Sequence, residues 1–279
     1  MLFLEMFTYP FMVRALIAGA LITLCASLLG VNLVLKRYSM IGVGLSYVGF
    51  GSLSLAVALK ISPVQFSMPI VIIAALLLLR TNKDSSIKPD ALIAMVSCIS
   101  LSFGVMVTAM TTGLNIDVCT YLFGSILAMK KFDVYMSILL SAIVICVYLY
   151  YYKKIFLITF DEEFASAKGE NKNYFNGIIA VLTAITVVLG MRLMGTMLIS
   201  SLIIFPALTS MRVFKNYSSV LISSVIIGLV SFIFGMYLSY AKSLPTGGSI
   251  VFINFVFFII EIIPRWWGFL PNIRFHALF

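Results

Sequence analysis

The residues best equipped for chemistry in this chain are three consecutive acids, Asp161, Glu162 and Glu163, inside the segment FDEEFASAKG at 160–169. The segment lies between two long apolar runs, in the longest polar gap of the sequence. Carboxylates in the first turn of a short helix meet the positive end of its dipole. Phe164 and Ala165 give such a helix an apolar contact, and Gly169 is placed to stop it. With Phe160 leading in, the segment reads as a docking element for a soluble partner on one side of a membrane. A solvated loop helix is the plainer alternative.

Little else is arranged for catalysis or metal binding. The sole histidine, His276, stands in the tail beyond the last apolar run, so a histidine-containing site inside the bundle is not expected. The four cysteines, Cys25, Cys98, Cys119 and Cys146, show no CxxC spacing and read as small packing residues. Asp90 and Asp117 sit at the ends of apolar runs, where an acid escapes the ~2.5–3.5 kcal/mol cost of a mid-membrane charge. Asp117, in the polar-interrupted TGLNIDVCTYLFG, is the better candidate for a path residue. Met40, Cys98 and Cys119 add soft sulfurs, although methionine mostly fills gaps. An intramembrane enzyme needs paired catalytic groups at depth, and none is seen. No GxxxxGK[ST] motif occurs, so nucleotide chemistry has to come from another chain.

The elements that must position these groups are membrane helices. The chain is 62% hydrophobic and 10% charged, whereas a soluble domain carries roughly 25% charged residues. Apolar runs fall at about 11–35, 38–59, 63–79, 91–112, 132–152, 174–191, 193–211, 217–241 and 249–263. Backbone groups in lipid must be satisfied internally, so the fold class is all-α, a polytopic bundle of eight or nine transmembrane helices in one domain. Arg192 blurs the count by interrupting one long run, and Tyr121 to Met129 is too short to span and reads as interfacial or re-entrant. The first run follows no basic n-region or A-x-A site and is expected to stay as an anchor.

The net charge of +9 carries no nucleic-acid signal, because the basic residues are scattered at the ends of apolar runs. Placing 36–37, 80–90, 153–173, 212–216 and the C-terminal tail in the cytoplasm puts 13 of the 19 basic residues inside. That orientation obeys the positive-inside rule and places 160–169 in the cytoplasm.

Four segments in order resemble one family, the integral-membrane permeases of the zinc, manganese and iron ABC importers. They are ALIAGALITLCASLLGVNLVLKRYSMIGVGLS (15–46), YLFGSILA (121–128), FDEEFASAKG (160–169), and GMRLMGTMLISSLIIFPALTS (190–210) followed by LPTGGSIV (244–251). Gly19, Gly30, Gly42, Gly44, Gly49 and Gly51 suit close helix approach in lipid. Pro206 removes one helical hydrogen bond and is expected to kink or break its helix, with Thr209 beside it on a path. Pro245-Thr-Gly-Gly reads as a turn.

The resemblance implies a subunit of the cytoplasmic membrane that binds no cofactor itself. ATP would be used by a cytoplasmic ATPase docked on Phe160, Asp161, Glu162, Glu163, Phe164 and Gly169. A second permease chain would complete the path, and an extracellular solute-binding protein would deliver the ion. The family's second helix usually reads G-D-x-L-S-H, an Asp and a His four apart on one helical face, a pair that suits a divalent metal. Here Val43 stands for the Asp and Tyr47 for the His. The metal ligands are therefore unassigned: a partner chain, Asp117 with the sulfurs, or loss of transport each accounts for the change. A nonconducting or regulatory permease-like subunit and an ion-gradient secondary transporter are the rival functions.

Overall fold

The structure is a computed structural model, described at residues 9–80, 89–111, 124 and 131–266. Among these residues it forms eleven α-helices and no strand: α1 (Pro10–Leu35), α2 (Ile41–Ala58), α3 (Pro63–Arg80), α4 (Pro89–Met110), α5 (Lys131–Tyr150), α6 (Tyr152–Phe160), α7 (Glu162–Ala167), α8 (Lys172–Met194), α9 (Thr196–Val213), α10 (Tyr217–Lys242) and α11 (Thr246–Trp266). Seven of them, α1, α2, α4, α5, α8, α9 and α10, are long and apolar enough to cross a bilayer. Shorter apolar stretches at Gln65–Leu79 and Thr246–Glu261 lie in α3 and α11. The protein is a polytopic helical bundle of eight or nine spans, as the hydropathy pattern predicts.

The long helix α1 is the centre of the bundle and packs against α5, α8, α9 and α10. In lipid, helices associate through close packing rather than expulsion from water. Gly30 shows what that demands: a Cβ there would lie 2.1 Å from the backbone carbonyl oxygen of Ile203 in α9. By contrast, only 17% of the apolar stretch of α4 is buried, against 72% in α8. The outward side chains of α4, among them Met95, Ile99, Phe103 and Met106, follow helical spacing along one face.

Four local features depart from the sequence pattern. The segment 153–173, read as a loop, contains α6, a separate helix that starts after Tyr151. The long run around Arg192 is divided at Gly195, whose φ of +92° is open to glycine and lets α8 end and α9 begin. Pro206 does not break its helix, because α9 continues from Thr196 to Val213. The ring is buried toward α10, where a Cβ on Gly228 would stand 3.5 Å from Pro206 Cγ. The next turn adds side-chain bonds, since Thr209 and Ser210 donate to the carbonyls of Phe205 and Pro206, both at 2.7 Å. Of the short piece 121–129, Gly124 is the described residue, and a Cβ on it would meet the Met194 backbone at 2.1 Å. The turn expected at Pro245-Thr-Gly-Gly falls earlier in the chain: Ser243 takes a left-handed conformation with φ 52°, whereas Thr246, Gly247 and Gly248 already form the first turn of α11 behind Pro245.

Candidate functional site: the α7 docking helix and its anchorage

The α7 helix is built by its caps. Asp161 is extended, and its Oδ1 accepts from the backbone N–H groups of Glu163 at 3.0 Å and Phe164 at 2.8 Å. This satisfies donors that a helix start leaves orphaned. At the other end Gly169 has φ +85°; its N–H reaches Ser166 O and the N–H of Glu170 reaches Ala165 O, both at 3.0 Å. Those two bonds are the Schellman stop. Both sequence-level expectations for this helix, an acidic start and a Gly169 finish, are what the geometry uses.

The three acids have separate roles. Asp161 is the cap. Glu162 turns inward, with Oε1 3.6 Å from Lys36 Nζ, whose side chain is only 7% exposed. Asn176 of α8 joins this pair, donating to Glu162 Oε1 at 3.4 Å and accepting from Lys36. Glu163 remains exposed, next to Phe164, which is 56% exposed. Ala165 is fully buried against Ile158 and Phe175, a small apolar cluster apart from the main core. Thus α7 presents an exposed phenylalanine and one acid outward while alanine and a paired acid hold its inner face. Beyond the stop, Lys154 of α6 pairs with Glu170 at 2.8 Å, and that bond raises the lysine pKa above 10.5. Tyr38, buried between α1 and α2, has its phenol pushed up to about 12 by burial, with the Glu162 carboxylate adding to the rise.

Behind α7 lies a buried polar ring that the sequence did not announce. Asn32, fully buried in α1, donates through Nδ2 to Tyr148 Oη of α5 at 2.7 Å. Tyr217 of α10 donates to Asn32 Oδ1 at 2.6 Å, and the two tyrosine hydroxyls are 3.1 Å apart. With Tyr148 donating to Tyr217, each hydroxyl donates once and accepts once, so the ring closes without an orphaned polar atom. Thr159 of α6 lies 3.3 Å from the same Asn32 oxygen. Around Tyr217 the rings of Phe156, Tyr152 and Phe160 gather at centroid distances of 4.9, 5.7 and 5.7 Å.

The proposed path residues are less concentrated. Val43 and Tyr47 lie one turn apart on α2, both half-buried. Between them Ser46 donates to Gly42 O at 2.7 Å, and its hydroxyl is 3.2 Å from that of Ser200 in α9. Pro206 and Thr209 are buried within the bundle. Asp117, Cys119 and His276 lie outside the described residues. Among the described residues no three His, Cys, Asp or Glu side chains converge to hold a metal ion. A further pair that composition hides is Asp133 of α5 with Arg192 of α8, at 3.1 Å.

A multi-span helical bundle with a capped, exposed helix between two spans defines the class, a polytopic helical membrane protein. The chain belongs to the ABC 3 transport family, which matches residues 8–265. It is similar to the high-affinity zinc uptake system membrane protein ZnuB of Haemophilus influenzae, 26% identical over 251 residues, covering 90% of this chain and 96% of that one. It is also similar to the manganese transport system membrane protein MntC of Listeria monocytogenes, 26% identical over 261 residues and covering 93% of each chain. The fold matches a chain of PsaBC from Streptococcus pneumoniae in complex with Fab, with a TM-score of 0.83 at 24% identity, over 93% of this chain and 94% of that one.

Proposed function

We propose that this chain is the membrane-spanning permease subunit of an ATP-driven importer of divalent metal ions, zinc or manganese, in the cytoplasmic membrane. The observation that carries the reading is α7: a capped helix in an ABC 3 family chain, with Phe164 and Glu163 turned outward. A cytoplasmic ATPase receives that helix. Two permease chains enclose the path, and an extracellular solute-binding protein delivers the ion. ATP-driven closure of the ATPase pair moves α7 and reorients the spans, opening the cavity alternately to each side. The chain breaks no bond and holds no nucleotide.

Val43 and Tyr47 bear on the cargo step. Valine offers no donor, and a neutral phenol, with an ordinary pKa of about 10, is a poor metal ligand. The ion therefore crosses without the family's Asp and His in this chain. The same two residues favour one alternative, a nonconducting permease-like subunit.

Co-purification tests the docking step. The native chain, in detergent, should retain the ATPase expressed with it, and Phe164→Ala should weaken that retention. Equal retention by both forms would refute α7 as the docking element.

A further inference from the structure

The side chains of Asn32, in the last turn of α1, and Lys36, its C-cap, lie one turn apart, and between them they reach α5, α6, α7, α8 and α10. Asn32 bonds to Tyr148 of α5, Thr159 of α6 and Tyr217 of α10. Lys36 bonds to Asn176 of α8 and pairs with Glu162 of α7. We propose that these two side chains are positioning residues for transport, passing displacement of α7 into α1 and so into the spans packed on it. The inference rests on the reading of α7 as the ATPase-docking helix.

The packing around α7 explains why polar bonds should carry that load. The helix has six residues and one fully buried side chain, Ala165, in a cluster separate from the main core. Apolar contact alone is therefore a weak link between α7 and the bundle. The polar ties hold more firmly, because a buried donor or acceptor parted from its partner is left unsatisfied. A push on α7 reaches α1 by two routes. One is direct, from Glu162 to Lys36. The other runs along α6, which is jointed to α5 at Tyr151 and carries Thr159 to Asn32 and Phe156 and Phe160 to Tyr217. Both end on the same face of α1, four residues apart. From there α1 runs 26 residues through the bundle against α5, α8, α9 and α10, so the movement is delivered where the spans meet.

A merely structural tie would lower folding and assembly, and with them hydrolysis and import together. A transmitting tie would separate the two. The test uses the full chain in proteoliposomes with its ATPase and solute-binding protein, comparing native, Asn32→Leu and Lys36→Met. Three quantities are read: ATPase retained, ATP hydrolysed, and zinc or manganese imported per ATP. The expected result is retention and hydrolysis within about twofold of native, with ions imported per ATP lowered about tenfold, in the range of site-to-site coupling. Exchange of charges in Lys36→Glu with Glu162→Lys should recover part of the loss. Should Asn32→Leu fail to assemble, Lys36→Met and the exchange carry the test. Native import per ATP in the assembled variants, or import and hydrolysis falling in proportion, would overturn the inference. Failure of the native chain to retain the ATPase would overturn the docking reading itself, and this inference with it.

Discussion

Arg192 in the last turn of α8 holds Asp133 in the first turn of α5 at 3.1 Å, at the end of the bundle remote from α7. The start of α8 lies beside α7 and its end lies 23 residues on, about 34 Å away along the helix axis. One bundle is thus tied at both ends by charge: Lys36 to Glu162 near α7, Arg192 to Asp133 at the other. Asp133 is buried, whereas the Arg192 side chain is 40% exposed.

Arg192→Gln should therefore destabilise the protein, since it weakens the pairing of a buried carboxylate. The cost lies between that of an exposed pair and a buried one, about 1–3 kcal/mol. Thermal unfolding in detergent measures it. Asp133→Asn combined with Arg192→Gln should cost less than the sum of the single changes, as expected for contacting residues.

Two glycines should respond differently to alanine. Gly30→Ala drives a Cβ to within 2.1 Å of the Ile203 carbonyl oxygen, a backbone atom that cannot step aside. A loss of about 3 kcal/mol or more is expected, at the severe end of overpacking. Gly169→Ala meets nothing within 4 Å, so only its φ of +85° is at issue. The cost is about 1–2 kcal/mol, confined to the stop of α7. The first change should lower the unfolding midpoint strongly; the second should leave it nearly unmoved while reducing ATPase retention.

Within α7 the apolar residue should matter more than the exposed acid. Phe164→Ala should weaken ATPase retention by about tenfold to a hundredfold, the size expected when a buried aromatic anchor is truncated. Glu163→Gln should change it only modestly, with the difference shrinking at high salt. Binding measured by surface plasmon resonance at two ionic strengths separates these contributions.

The Lys154–Glu170 pair has a defined pH signature. The lysine pKa is raised above 10.5 in the folded chain, principally by its bond to Glu170. Its stabilising contribution is therefore complete below 10.5 and is lost as pH rises through the raised value. The difference in unfolding midpoint between native protein and Lys154→Met should stay level from about pH 7 to about pH 9 and narrow only in stronger alkali.

The spans were legible because lipid leaves few options: about 20 apolar residues in a row must become a helix. The ends of α7 were legible too, since Asp161 and Gly169 act on backbone groups within three or four residues of themselves. The division of labour among its acids was not. Whether Glu162 faces a partner or the bundle depends on Lys36, far away in the chain, and the Asn32–Tyr217 bond joins residues 185 apart. Asp133 likewise reads as an ordinary acid at a helix start until α8 delivers Arg192. The α6 helix was hidden by its composition, because YKKIFLITF mixes two lysines with apolar residues and belongs neither to a span nor to a loop. For the path, Val43 and Tyr47 were recognisable only by resemblance, and Asp117 lies outside the described residues.

The most direct measurement is uptake of radioactive zinc and manganese into proteoliposomes holding this chain, its ATPase and its solute-binding protein. Native sequence and Val43→Asp/Tyr47→His would be compared, with chelator and ATP-free controls. ATP-dependent uptake of one of the two ions by the native chain is the expected result. No uptake by the native chain, with uptake by the double variant, would contradict it and mark this chain as a permease that has lost its path.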